Sequence, residues 1–160
     1  MKDGYGGNAL EWAAQENRIS NAKMLIESGC DVNNLNGEGM TALYTACAEG
    51  NTDMARLLLN NNAEPDRTED ATPLIIASCY GKIDCAELLL EHGSDVNTID
   101  NEGRTALFYA MVYGQDEIEK LLSAHGASYD ICDKDGVSPG QLKDEGVREQ
   151  VYSELMGEEE

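Results

Sequence analysis

One pattern restricts this chain more than any other: the sequence repeats. Segments beginning Asn8-Ala9-Leu10, Thr41-Ala42-Leu43, Thr72-Pro73-Leu74, Thr105-Ala106-Leu107 and Ser138-Pro139-Gly140 lie in register at steps of 33, 31, 33 and 33 residues. In the first four, Ala follows five residues on (Ala13, Ala46, Ala77, Ala110), then a turn residue at Asn17, Gly50, Gly81 and Gly114. An apolar run comes next, Met24-Leu25-Ile26, Leu57-Leu58-Leu59, Leu88-Leu89-Leu90 and Leu121-Leu122. A second turn residue closes each unit at Gly29, Asn62, Gly93 and Gly126. A fixed period of this length means stacked units that can bury a core only together.

Each position has a physical task. Asn, Thr or Ser at the start can accept hydrogen bonds from the free N–H groups of a helix N-terminus. Pro73 and Pro139 follow, where a helix leaves the N–H unpaired anyway. Asn8 and Glu11 have the spacing of a capping box. Gly and Asn at the turns tolerate the positive φ that ends a helix. The stops predict two short helices per unit, of about nine and ten residues. Helices so short are marginal alone; small alanines on the first let it pack close to the leucine-rich second, and neighbouring units share one core. Polar stretches such as Asp31-Val32-Asn33, Asp95-Val96-Asn97 and Asn101-Glu102-Gly103 read as hairpin-like loops. The 31-residue step makes the loop around Glu64-Pro65-Asp66 two residues shorter than its neighbours. The last unit is degenerate: after Asp133-Lys134-Asp135-Gly136-Val137-Ser138-Pro139 come Gln141-Leu142-Lys143-Asp144 and a stripe of Val147, Val151 and Leu155. That one-sided stripe suits a terminal capping unit.

The segments Gly39-Met40-Thr41-Ala42-Leu43, Ala71-Thr72-Pro73-Leu74, Leu88-Leu89-Leu90-Glu91-His92-Gly93-Ser94-Asp95-Val96-Asn97 and Asp100-Asn101-Glu102-Gly103-Arg104-Thr105-Ala106-Leu107 resemble the ankyrin repeat, from about Asn8 to Gly140. The resemblance implies an all-α fold: an ankyrin-repeat α-solenoid of stacked helix-turn-helix units joined by β-hairpin-like loops. The expected division is a single domain at 1–157, with repeats at approximately 3–35, 36–66, 67–99 and 100–132, a C-terminal cap at 133–157 and an acidic tail at 158–160. The family often carries His three residues after the Thr; here those positions are Glu11, Tyr44, Ile75 and Phe108. Without the hydrogen bonds of that His to the loop backbone, looser or differently packed hairpins are expected.

Composition narrows the function. Asp plus Glu number 31 against 11 Lys plus Arg, a net charge of −20, which disfavours nucleic acid and anionic membrane surfaces. The longest apolar run, Ala106 to Tyr113, is far short of a membrane span. Met1-Lys2-Asp3-Gly4 does not open a secretory signal. Five cysteines without a C-x-x-C pair argue against a disulfide framework or zinc site and place the chain in the cytoplasm, with the nucleus as alternative. His92 and His125 sit before the glycines that end second helices, where they complement helix C-terminal carbonyls. Asp130, Asp133 and Asp135 lack the spacing and the closing Glu of a calcium loop. No cofactor or metal is expected, and the reading is a non-catalytic module.

Ankyrin-like solenoids bind partners through the hairpin tips and the exposed side of the first helix. In register, Glu38, Glu69, Glu102 and Asp135 form an acidic row, with Met40 and Arg104 beside it. Glu16, Glu49, Tyr80 and Tyr113 form a second row, acidic early and aromatic late. Tyr, Met and Arg are enriched at interface hot spots. The partner-binding candidates are therefore Glu38, Met40, Glu49, Glu69, Tyr80, Glu102, Arg104 and Tyr113, and the expected partner is a protein with a basic patch, met by a monomer on its concave face. One alternative is a regulatory or inhibitory module, since small ankyrin inhibitors of protein kinases are similar in length and acidity. Another is a modification substrate: Leu25 to Asn33 and Leu89 to Asn97 both read L-x-x-x-x-x-D-V-N, similar to asparaginyl hydroxylation sites of the family, which makes Asn33 and Asn97 candidates. An acidic mimic of nucleic acid ranks last, because residues 141–160 alone hold seven acids against two bases.

Overall fold

A computed structural model describes residues 9–157. Among them lie nine α-helices, one 3-10 turn and no strand. The helices come in pairs: α1 (Ala9–Gln15) with α2 (Ile19–Glu27), α3 (Ala42–Glu49) with α4 (Thr52–Asn60), α5 (Pro73–Cys79) with α6 (Ile83–Glu91), and α7 (Ala106–Val112) with α8 (Asp116–Ala124). The 3-10 turn Gln141–Lys143 and α9 (Glu145–Met156) close the stack.

The starts and stops work as their residue types require. Oγ1 of Thr41, Thr72 and Thr105 accepts from the backbone N–H of Tyr44 (3.2 Å), Ile75 (3.3 Å) and Phe108 (3.2 Å). All eight turn residues have positive φ, from 51° at Asn17 to 86° at Gly93. Asn8 and its capping box with Glu11 lie outside the described residues, as do residues 158–160. Ser138 differs from its three counterparts: its own N–H donates to the Gln141 side chain (2.8 Å), and a single 3-10 turn replaces the first helix. α9 regains an ordinary cap, Asp144 Oδ1 accepting from Gly146 N (2.9 Å) and Val147 N (3.3 Å).

Ala13, Ala46, Ala77 and Ala110 are all buried. Because they carry only a methyl group, α1, α3, α5 and α7 pack directly on one another, more closely than α2, α4, α6 and α8 do. A stack tighter on one side curves toward that side, so the first helices line the inner face. Between the layers run Leu43, Leu74, Leu107 and Phe108 from inner helices and Met54, Leu58, Leu88, Leu89, Ile118 and Leu122 from outer ones, all shut off from solvent. Each such side chain contributes roughly 1.5–3 kcal/mol on burial. Val151 is buried against this core, with Val147 and Leu155 half-buried beside it, so the α9 stripe closes the stack.

The hairpins are packed differently, not loosely. At the first residue of three tips a side-chain oxygen collects two backbone N–H groups. Asn36 Oδ1 accepts from Glu38 N (2.8 Å) and Met40 N (3.0 Å). Asp100 Oδ1 accepts from Glu102 N and Arg104 N (2.9 Å each), and Asp133 Oδ1 from Asp135 N (3.0 Å) and Val137 N (2.9 Å). The other end of each side chain is anchored as well: Asn36 Nδ2 donates to Glu11, the Tyr109 hydroxyl donates to Asp100 Oδ2 (2.7 Å), and Arg104 Nε donates to Asp133 Oδ2 (3.3 Å). This ladder does what the missing His would have done. The remaining tip is the short one. Asp66 lies six residues before Thr72, where Asn33 and Asn97 lie eight before their threonines. The two missing residues thus fall in the tip after Asp66, and Glu69 N instead donates to Gly39 O across the stack (3.1 Å). A Cβ at Gly39, whose φ is 75°, would meet Glu69 Cβ at 2.7 Å, so this crossing needs glycine.

Candidate partner-binding surface

The inner face divides into an acidic patch at the tips and an aromatic strip at the ends of the first helices. Glu38, Glu69 and Asp70 are exposed, and among the described residues none of the three forms an ion pair. Further along, the row is partly neutralised. Lys134 Nζ lies 3.4 Å from Glu102 Oε1, and Arg104 Nη2 lies 4.0 Å from Asp135 Oδ2. The expected acidic row is therefore strongest at its N-terminal half.

Tyr44, half-buried on α3, joins the two regions. Burial, followed by the negative surroundings of Tyr80, Asp70, Cys79 and Glu38, pushes its phenol above the ordinary tyrosine value. Tyr80 caps the end of α5 with 58% of its surface exposed. Tyr113 caps α7; its ring stacks on Tyr109 at 6.3 Å between centroids with planes 7° apart. Tyr152 of α9 meets Tyr113 edge to face at 5.9 Å and 76°. Burial, followed by the neighbouring Cys79, Tyr152 and Tyr80, raises the pKa of Tyr113. Burial and the bond to Asp100 raise that of Tyr109 further. The phenols stay protonated; burial is the first cause for all three, and carboxylates add to it at Tyr44 (Asp70, Glu38) and Tyr109 (Asp100).

A model of ankyrin repeats (three copies) matches residues 10–100 and 62–135. The chain belongs to the ankyrin-repeat family. Ankyrin repeats are in general protein–protein interaction modules, and the fold itself is non-catalytic. Similar proteins include serine/threonine-protein kinase 12 of Arabidopsis thaliana, 37% identical over 91 residues, or 56% of this chain and 20% of the kinase. Palmitoyltransferase Hip14 of Drosophila melanogaster is 33% identical over 102 residues, 62% of this chain and 16% of that protein. Neurogenic locus notch homolog protein 1 of Xenopus tropicalis is 32% identical over 106 residues, 64% of this chain and 4% of that protein. The chain thus spans a fifth or less of these relatives, and matches two named enzymes over only a small part of each.

Within the ankyrin stack, the candidate residues take different positions. Glu38, Glu49, Glu69, Tyr80 and Glu102 are exposed; Met40 and Tyr113 are half-exposed. Arg104 is different. Only 14% of its side chain is accessible, because it pairs with Asp133 and lies over the Phe108 ring at 5.4 Å, so it holds the fourth tip together. Asn33 and Asn97 are equally engaged: Asn33 Nδ2 donates to Asn62 O (3.0 Å) and its Oδ1 accepts from Glu64 N (2.7 Å). Asn97 repeats this toward Gly126 O (3.4 Å) and Ser128 N (2.8 Å). His92 and His125 each bond a carbonyl four residues back through Nδ1, at 2.9 Å. Asp133 is consumed by its own tip and Arg104, and among the described residues no cluster suited to a metal ion occurs. No described helix is long and apolar enough to cross a membrane. Sequence register missed Tyr44, Tyr109 and Tyr152. Tyr44 stands in the fourth position, counted from the Thr, where the family often has His, and could have been found by asking what replaces it; Tyr109 lies one position further on, and Tyr152 sits in a unit with no register to read.

Proposed function

We propose that this chain binds a partner protein through a basic segment laid along its inner face. The observation that carries the reading is the set of exposed carboxylates Glu38, Glu69 and Asp70 at neighbouring tips, none of them in an ion pair among the described residues, with Tyr44 and the exposed Tyr80 close to Glu38 and Asp70. Such an arrangement attracts a cation electrostatically and offers apolar area for close contact. The stack acts as a monomer in a reducing compartment, the cytoplasm, in keeping with five free thiols.

Affinity capture with the chain as bait, at low and then moderate salt, tests the reading, followed by kinetics on the captured protein. Replacing Tyr80 and Tyr113 together by Ala is expected to speed dissociation by at least about tenfold, in line with hot-spot losses above 1.4 kcal/mol, while the fold is retained and the thermal melt falls by the loss of the Tyr113 ring contacts. Glu69→Lys is expected to slow association and flatten its salt dependence more than Glu102→Lys does, because Lys134 already offsets Glu102. A partner bound with unchanged rates by both sets of variants would place recognition elsewhere.

A further inference from the structure

The aromatic strip asks for more than positive charge. Tyr80, Tyr113 and Tyr152 come from α5, α7 and α9, and the last belongs to the C-terminal cap. Tyr152 (38% exposed) meets Tyr113 edge to face, and the exposed Tyr80 (58%) holds the equivalent helix-end position one unit earlier. Glu49 precedes Tyr80 in the same row, and Glu149 follows Tyr113 in a hollow of about 270 Å³ lined by Val112, Arg148, Glu149, Tyr152 and Ser153. Arg148, the cation in that hollow, reaches back to Glu145 at 3.7 Å. The strip is thus a run of ring faces and edges bracketed by carboxylates. Elsewhere in the stack the molecule places its own cations over rings, Arg104 over Phe108 at 5.4 Å and Lys143 over Tyr129 at 4.4 Å.

We propose that the strip formed by Tyr80, Tyr113 and Tyr152 selects arginine over lysine in the bound segment, and that α9 is therefore part of the recognising face as well as a cap. The inference rests on the basic-segment reading above and names the side chain that reading leaves open. A lysine ammonium is a compact, strongly hydrated charge, which the acidic patch attracts as well as any other cation. A guanidinium is flat and weakly hydrated: it stacks on a tyrosine face while its edge N–H groups donate to carboxylates at the side. Glu49 holds the position equivalent to Tyr80 one unit earlier, and Glu149 shares a hollow with Tyr152, which puts a carboxylate toward each end of the row.

The probes are two fluorescein-labelled heptapeptides of alternating glycine and either arginine or lysine, identical in charge, titrated against the full chain by fluorescence anisotropy. The arginine peptide is expected to bind about two- to fivefold tighter, the size of a cation–π contact at an exposed site. In Tyr80→Leu/Tyr113→Leu/Tyr152→Leu, which keeps apolar area but removes the rings, the two peptides should bind alike, the lysine peptide as before. A circular dichroism melt reports whether the variant is folded, and Tyr152→Leu alone, remote from the inner core, should already lose part of the preference. Equal binding of both peptides to the unaltered chain, or a preference that survives loss of the rings, overturns the arginine inference and leaves the basic-segment reading standing. No binding of either peptide, with Glu69→Lys without effect, overturns both.

Discussion

Asp66 stands where two other loops carry asparagine, and the difference of one atom leaves a defect. Asn33 and Asn97 use both ends of the amide, the nitrogen on a carbonyl of the next unit and the oxygen on an N–H two residues further. Asp66 makes only the second contact, its Oδ2 accepting from Asp95 N at 2.9 Å, while Oδ1 is buried with no hydrogen-bond partner. A carboxylate has no donor for the carbonyl that an amide would meet there. Asp66→Asn is therefore expected to stabilise the stack by about 1 kcal/mol, a rise of about 2–4 °C in Tm by calorimetry. The converse change, Asn97→Asp, should lower Tm by a similar amount; an Asp66→Asn variant that melts no higher would show that the second oxygen costs nothing. The DVN pattern was legible from sequence, but its task was not, because the partners lie 29 and 31 residues away. Arg104 teaches the same lesson in reverse. Its residue type suggests an interface, and only the position of Asp133 shows that the charge is already spent inside the tip.

At the scale of elements, the helices follow from their ends and their small residues. Thr caps and Gly or Asn stops place each helix within a residue or two of where the spacing predicts it, since these signals act over one turn and need no distant partner. The buried alanines decide how close the inner helices come. Ala77→Leu would push three methylene-sized groups into the α3–α5–α7 contact, with an expected loss of about 1–3 kcal/mol or more, visible as a lower urea midpoint at unchanged slope. Leu122→Ala, which leaves a cavity between α8 and the core, should cost about 2–5 kcal/mol. If Ala77→Leu were as stable as the parent, the close approach of inner helices would not be set by residue size. The tips were less legible. Loss of the family His suggested looseness, whereas the tips are tied by Asn36, Asp100 and Asp133, residues whose ability to gather two N–H groups depends on a turn that sequence register does not specify.

Over the whole molecule, three partly buried tyrosines tie stability to pH. Tyr44, Tyr109 and Tyr113 all hold their protons above the ordinary tyrosine value of 10.0. An unfolded chain loses those protons near pH 10, while the folded chain retains them. The folded state then binds more protons, so stability is level with respect to these groups below about pH 10 and falls as pH rises beyond it. Urea midpoints measured at pH 8, 10 and 11 should decline above pH 10, and less so in Tyr109→Phe; an equal decline in that variant would assign the loss to other groups.

By itself the sequence determined the repeat, the helix boundaries and the apolar core, because caps, turns and periodicity are short-range and recur at every step. Tertiary structure decided which charges remain free and which aromatics adjoin. Lys134 and Arg104 reach across to the next tip and quiet half of the acidic row, and α9 folds back to set Tyr152 against Tyr113. Both depend on contacts between units, and such contacts form only when the stack does.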